Sequence, residues 1–157
     1  MNDFFKLYLE LLEYEDQLRS DNLSLEKVDK QKYRKRLDCL IKLSDFIHWQ
    51  QKDKYLKLME NFVNFEINGK QFRDKFRILH KSIQNSVEIM ENNLTELNNL
   101  ELDPKSFGFT EWTSEIDLGC DEFYPDFKPE TNFQFARDEE NFRDFVAQII
   151  PKIEEYL

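Results

Sequence analysis

Two cysteines, Cys39 and Cys120, and two histidines, His48 and His80, are the side chains best suited to covalent or metal chemistry in this chain. A thiol nucleophile needs an imidazole beside it and a group that orients the imidazole. Cys39 falls among apolar residues of a predicted helix, and Cys120 stands between Gly119 and Asp121. Both read as small packed thiols, with catalysis open only to one that a histidine folds against. They form no Cys-x-x-Cys pair and no disulfide framework, which suits a reducing, cytoplasmic setting. Asp45 and His48 occupy adjacent turns of a predicted helix. A di-iron bundle uses Glu-x-x-His twice, with further glutamates. Here there is one near-copy with Asp in place of Glu, so we read a surface histidine beside an ordinary acid and expect no metal. P-loop, dinucleotide-binding and zinc-finger spacings are absent, and no cofactor is expected.

Carboxylates are the remaining candidates. The chain carries 32 Asp and Glu against 22 Lys and Arg, a net charge of -10. At that density adjacent acids such as Asp121-Glu122 and Asp138-Glu139-Glu140 arise freely, and no spacing marks a general acid. Such a surface repels nucleic-acid phosphates and anionic lipids and attracts basic proteins. Glu111, Glu115, Asp117, Asp121, Glu122 and Asp126 surround Trp112, Phe123 and Tyr124. Rings supply buried interface area and acids supply steering, so these six acids are the predicted partner-binding residues. The rival reading of each is a core ring with a solvated acidic rim. A monomer or weak dimer that binds a basic protein, with no catalysis, no direct nucleic-acid contact and no membrane contact, is expected.

The elements that position these residues read as helices. Three Gly and four Pro in 157 residues are too few for a turn-rich sheet protein, and 15 Phe argue for a packed core. Phe4, Tyr8, Leu11 and Leu12 predict a first helix from Asn2 or Asp3 to Arg19. Ser24 is the expected cap of a second, with Tyr33, Leu37, Leu40, Ile41, Ser44 and Ile47 inward and Lys30, Lys32, Arg34, Lys35 and Arg36 outward. A third helix over 51–65 places Tyr55, Leu58, Met59, Phe62 and Phe65 on one side. Gly69 is expected to end it in a left-handed conformation. The stripe Phe72, Phe76, Leu79, Ile83, Val87, Met90, Leu94 and Leu97 predicts one long helix that stops before Pro104. Thr110 is the expected cap of a short helix bearing Trp112, Ile116, Cys120 and Phe123. A ring-anchored loop, 124–129, follows. Asp138-Glu139-Glu140 opens a last helix with Phe142, Phe145, Val146, Ile149, Ile150 and Ile153 inward, loosened near Pro151. The expected architecture is all-α: one domain, 1–157, as an antiparallel helical bundle with a loop-rich aromatic capping region, 103–136, before the last helix. The N-terminus lacks a basic, apolar leader, so no secretory signal is read there.

The stretch Phe62-Val63-Asn64-Phe65-Glu66-Ile67-Asn68-Gly69-Lys70-Gln71-Phe72, followed by Phe76, resembles the turn between helices of the colicin D immunity-like family. Leu102-Asp103-Pro104-Lys105-Ser106-Phe107-Gly108-Phe109 and Cys120-Asp121-Glu122-Phe123-Tyr124-Pro125-Asp126 resemble its C-terminal part. The likeness spans residues 50–157. It implies a small helical immunity protein whose carboxylates stand in for RNA phosphates. Such a protein covers the active site of a basic, tRNA-cleaving, colicin-like nuclease toxin. Asp121, Glu122 and Asp126 are the matching acidic positions. Two other readings stay open: a non-catalytic helical adaptor or structural protein with an unrelated protein partner, and an enzyme that uses His48 or His80 in a cleft.

Overall fold

The computed structural model describes residues 3–128 and 136–157. The described residues are all-α, with eight α-helices and no strand: α1 (Asp3–Ser20), α2 (Leu25–Val28), α3 (Lys30–Trp49), α4 (Lys52–Val63), α5 (Gly69–Glu91), α6 (Leu94–Asn99), α7 (Phe109–Glu122) and α8 (Glu139–Glu154). A 3-10 turn, Pro104–Ser106, precedes α7. The first two residues and 129–135, which hold the alternative helix start and part of the expected capping region, lie outside the described residues.

Local chemistry explains where the helices break. The expected second helix is two, because Asp29 stops α2 and caps α3, its carboxylate accepting from the backbone N–H of Gln31 at 3.1 Å and Lys32 at 3.0 Å. Ser24 precedes α2 but makes no side-chain cap. The long stripe is also interrupted. Asn92 donates to the Glu88 carbonyl at 2.8 Å, and Asn93 accepts from the N–H of Glu96 at 3.2 Å, so α5 ends and α6 begins. The turn before α5 reverses the expected roles. Asn68 caps α5 in a reciprocal capping box with Gln71. The left-handed residue is Phe65, at φ 64°, not Gly69. Gly69 serves close approach instead: a Cβ there would stand 2.6 Å from the Phe123 ring.

The core joins α1 and α3–α8 through one cluster of buried apolar side chains. α3 packs on α1, α2, α5 and α7; α5 packs on α3, α4, α6, α7 and α8; and α4 lies against α8. Phe62, Phe72, Phe123 and Phe142 bring α4, α5, the end of α7 and α8 together, with ring centroids 4.6 Å apart for Phe62–Phe72 and 5.0 Å for Phe123–Phe142. Offset and tilted ring pairs of this kind add to the burial of their area. Three residues of the expected apolar rows are outward: Ile41, Phe65 and Leu94 are exposed. α8 continues through Pro151 to Glu154.

α7 has no side-chain cap of its own. Gly108 occupies its N-cap position at φ 86°, and the carboxylate of Asp45, on α3, supplies the acceptors. It accepts from Gly108 N–H at 2.8 Å and Thr110 N–H at 2.9 Å, and from the Thr110 hydroxyl. Thr110 is thus a donor to a remote acid, not the cap. Asp45 is buried, so three hydrogen bonds and the positive end of a helix dipole hold its charge. Asp45→Ala orphans these donors and is expected to cost about 2–4 kcal/mol in urea unfolding, with Asp45→Asn losing less. A loss below about 0.5 kcal/mol for the alanine variant contradicts this role.

Candidate functional site

α7 presents the predicted acids from a buried inner face of Phe109, Thr113, Ile116, Gly119 and Cys120. Gly119 lets α8 approach, since a Cβ there would stand 2.5 Å from the Phe145 ring. That inner face turns Glu111 and Glu115 outward, where both are exposed and make no ion pair among the described residues. Asp126 is exposed in the loop after α7. Asp121 and Glu122 are already engaged. Asp121 pairs with Arg77, and Glu122 accepts from Arg137 Nε at 2.8 Å while its carbonyl accepts from Arg137 N–H at 2.7 Å. Both acids sit at the negative end of the α7 dipole, which disfavours them, and the two arginines offset that cost. Asp117 is half-buried and acts electrostatically on Tyr55, His80 and Cys120. The structure therefore separates the six: three are surface acids without an ion pair among the described residues, two are paired, and one acts on a polar cluster.

The charge of the chain is segregated. Residues 107–157 contain thirteen acids and four bases, a balance of -9, whereas residues 1–106 contain nineteen and eighteen. α7 and α8 pack together, and within their bounds lie nine of these acids and two of the bases. α8 adds Glu140, Asp144 and Glu154, all exposed and without an ion pair among the described residues. In the sequence the Asp138-Glu139-Glu140 run reads as chance adjacent acids and as a helix start, not as partner-binding residues. Its signal was the scarcity of bases after residue 107. The basic run of α3 is partly paired inward. Arg36 bonds Glu15 at 3.0 Å and Glu91 at 2.9 Å, and Tyr8 donates to Glu91 at 2.5 Å, tying α1, α3 and α5 together. Burial opposes the Arg36 charge, but the two carboxylates outweigh it and raise its pKa.

His48 is not the surface group expected. His48 is only 1% exposed, and its Nδ1 lies 2.8 Å from the Tyr55 hydroxyl. Its ring centroid is 5.0 Å from that of His80, which stacks on Phe76. Burial pushes His48 down to about 4; the adjacent His80 adds to this and the Gln84 side chain opposes it. Burial also lowers His80, against the pull of the Asp117 carboxylate. The thiols are held protonated: burial and Asp38 raise Cys39 to about 11, and burial and Asp117 raise Cys120 to about 12. A protonated buried thiol is a poor nucleophile. The cluster brings two neutral imidazoles within electrostatic range of the Asp117 carboxylate, among α3, α4, α5 and α7.

No protein-family model, no curated protein and no solved structure matches this chain. Among the described residues no group of three or more His, Cys, Asp and Glu is placed to hold a metal, and no helix is long and apolar enough to cross a membrane.

The histidine shifts set a pH dependence. Each folded-state value lies below the unfolded one, so the unfolded chain binds protons more readily. The stability of the neutral pair is complete above about pH 6.5 and is lost as pH falls towards about 4. His48 alone accounts for about 2 kcal/mol between pH 7.5 and pH 5. Unfolding of wild type and His48→Gln over that range should show a shallower acid loss in the variant; parallel curves would contradict the assignment.

Proposed function

We propose that this protein is an immunity-type inhibitor. Its acidic α7–α8 layer covers the active site of a basic nuclease domain, with a tRNA-cleaving, colicin-like toxin as the cognate partner. The observation that carries this reading is the charge segregation. Helices α7 and α8 carry nine acids against two bases, a balance of -7 out of the chain's -10, and Glu111, Glu115, Glu140, Asp144 and Glu154 are exposed there without an ion pair among the described residues. Solubility alone does not require that concentration, whereas mimicry of a phosphate backbone does. The resemblance of residues 50–157 to colicin D immunity-like proteins points the same way. In this reading the helices form an antiparallel bundle, the aromatic-rich segment before α8 caps it, and the protein acts in the cytoplasm without catalysis.

A second reading, a helical adaptor, is favoured by α5. Ile78 and Ile89 are 72% and 66% exposed and fall three turns apart on one stripe. They lie beside a groove of about 360 Å³ lined by Gln50, Lys54, Leu79, Ser82, Ser86 and Met90. The two readings use different surfaces.

The test is inhibition of tRNA cleavage by a basic, colicin-like nuclease domain, taken in the first instance from any toxin-like protein encoded beside this gene. Glu111→Lys with Glu115→Lys, and Glu140→Lys with Asp144→Lys, are each expected to weaken inhibition by at least about tenfold, about 1.4 kcal/mol. Ile78→Glu with Ile89→Glu should leave it unchanged. The opposite pattern, loss at the isoleucines and none at the acids, establishes the adaptor surface instead.

A further inference from the structure

α4 ends in a turn that phenylalanine rarely occupies. Phe65 N–H donates to the Phe62 carbonyl at 3.1 Å and Glu66 N–H to the Asn61 carbonyl at 2.9 Å. This is the paired hydrogen bonding of a helix stop whose central residue is left-handed, and Phe65 has φ 64°. Glycine adopts that conformation freely, and asparagine tolerates it. A bulky aromatic there is strained, and strain of this kind persists where the surroundings impose it, often at functional positions.

Core packing does not explain the residue. Phe65 is 78% exposed, the most exposed large apolar side chain among the described residues, and it belongs to no part of the core cluster. Yet its ring is held. The Arg143 guanidinium lies 4.1 Å from the Phe65 ring centroid and 4.3 Å from that of Phe62. Arg143 is itself anchored by the Phe62 carbonyl and by Glu139 at 2.6 Å. The ring is thus presented in a fixed place before any partner arrives, which lowers the entropy lost on binding. Arg143 is also the only base of α8 before Lys152, and its charge is matched by Glu139. Glu140 and Asp144 flank it in sequence on α8, and Glu66 follows Phe65.

We propose that Phe65 is the aromatic anchor of the partner-binding face, inserting into an apolar pocket rimmed by lysine and arginine on a basic protein. An exposed aromatic held by an arginine of the acid-rich helix α8, with Glu66 next to it in the chain, fits the arrangement of an interface hot spot with a polar rim. The same charge argues against a second copy as the occupant, because a self-complementary contact would oppose two acidic layers. This inference rests on the basic-partner reading above and adds the residue that slows release.

The experiment is surface plasmon resonance with the same basic, tRNA-cleaving, colicin-like nuclease domain, paired with thermal unfolding, for wild type, Phe65→Gly, Phe65→Asn and Phe65→Tyr. Glycine and asparagine both suit the left-handed turn, so both variants are expected to fold with an unfolding temperature equal to or above that of wild type. Both should release the partner about 30-fold faster or more, with association within about twofold of wild type. Phe65→Tyr should keep most of the affinity. Wild-type release rates in the glycine and asparagine variants would overturn the anchor while leaving the acidic layer intact. A large fall in unfolding temperature for both would assign the ring to stability instead. Failure of wild type itself to bind would remove the basic-partner reading, and this inference with it.

Discussion

The carboxylate of Asp45 is the contact on which the arrangement of the molecule depends. α7 begins with a left-handed glycine and no cap of its own, and its first free N–H groups are met by an acid from the middle of α3. A buried charge is costly unless fully hydrogen-bonded, so this contact specifies one docking of the C-terminal third on the N-terminal helices. Tyr156 extends the same junction, its ring edge-on to Phe109 at 5.3 Å and its carbonyl accepting from the Trp49 indole at 2.8 Å. The phenylalanine cluster then closes α8 against α4 and α5.

This construction divides the acids into two populations. Those near helix ends and in the interior are neutralised: Asp45 by backbone donors, Asp121 by Arg77, Glu122 by Arg137 and Glu139 by Arg143. Those on the outer faces of α7 and α8 have no ion pair among the described residues, and like charges close together repel. The packed aromatic floor beneath them offsets that repulsion. A layer of uncompensated carboxylates on a rigid base attracts a cationic surface at long range and pays little reorganisation on contact. The neutral histidine pair belongs to the same floor, since it faces α7 from below through Asp117.

Much of the helical order was legible in the three-and-four spacing of apolar residues, as in α1 and in the row Phe72, Phe76, Ile83 and Val87 of α5. The breaks were less so. Asp29, Asn92 and Asn93 interrupt helices through local side-chain hydrogen bonds that compete with an otherwise continuous apolar pattern. Phe65 continued the α4 spacing and so read as core, although the helix had already turned away. Asp45 and His48 read as surface groups because the partners that satisfy them, Gly108, Thr110 and Tyr55, are fixed only by tertiary packing. The acids of α7 drew notice because rings lie beside them in sequence. Those of α8 did not, because their contribution is a regional balance of charge.

The central claim is that an acidic α7–α8 layer draws a basic partner. Its most direct test is the association rate with a basic, colicin-like nuclease domain, measured by stopped flow as sodium chloride rises from about 50 to about 500 mM, across which the Debye length shrinks from above to well below about 10 Å. Electrostatic steering predicts a fall of about tenfold or more, with a much smaller change in the dissociation rate. An association rate that stays constant across that range would contradict the claim, even for a complex that proved tight.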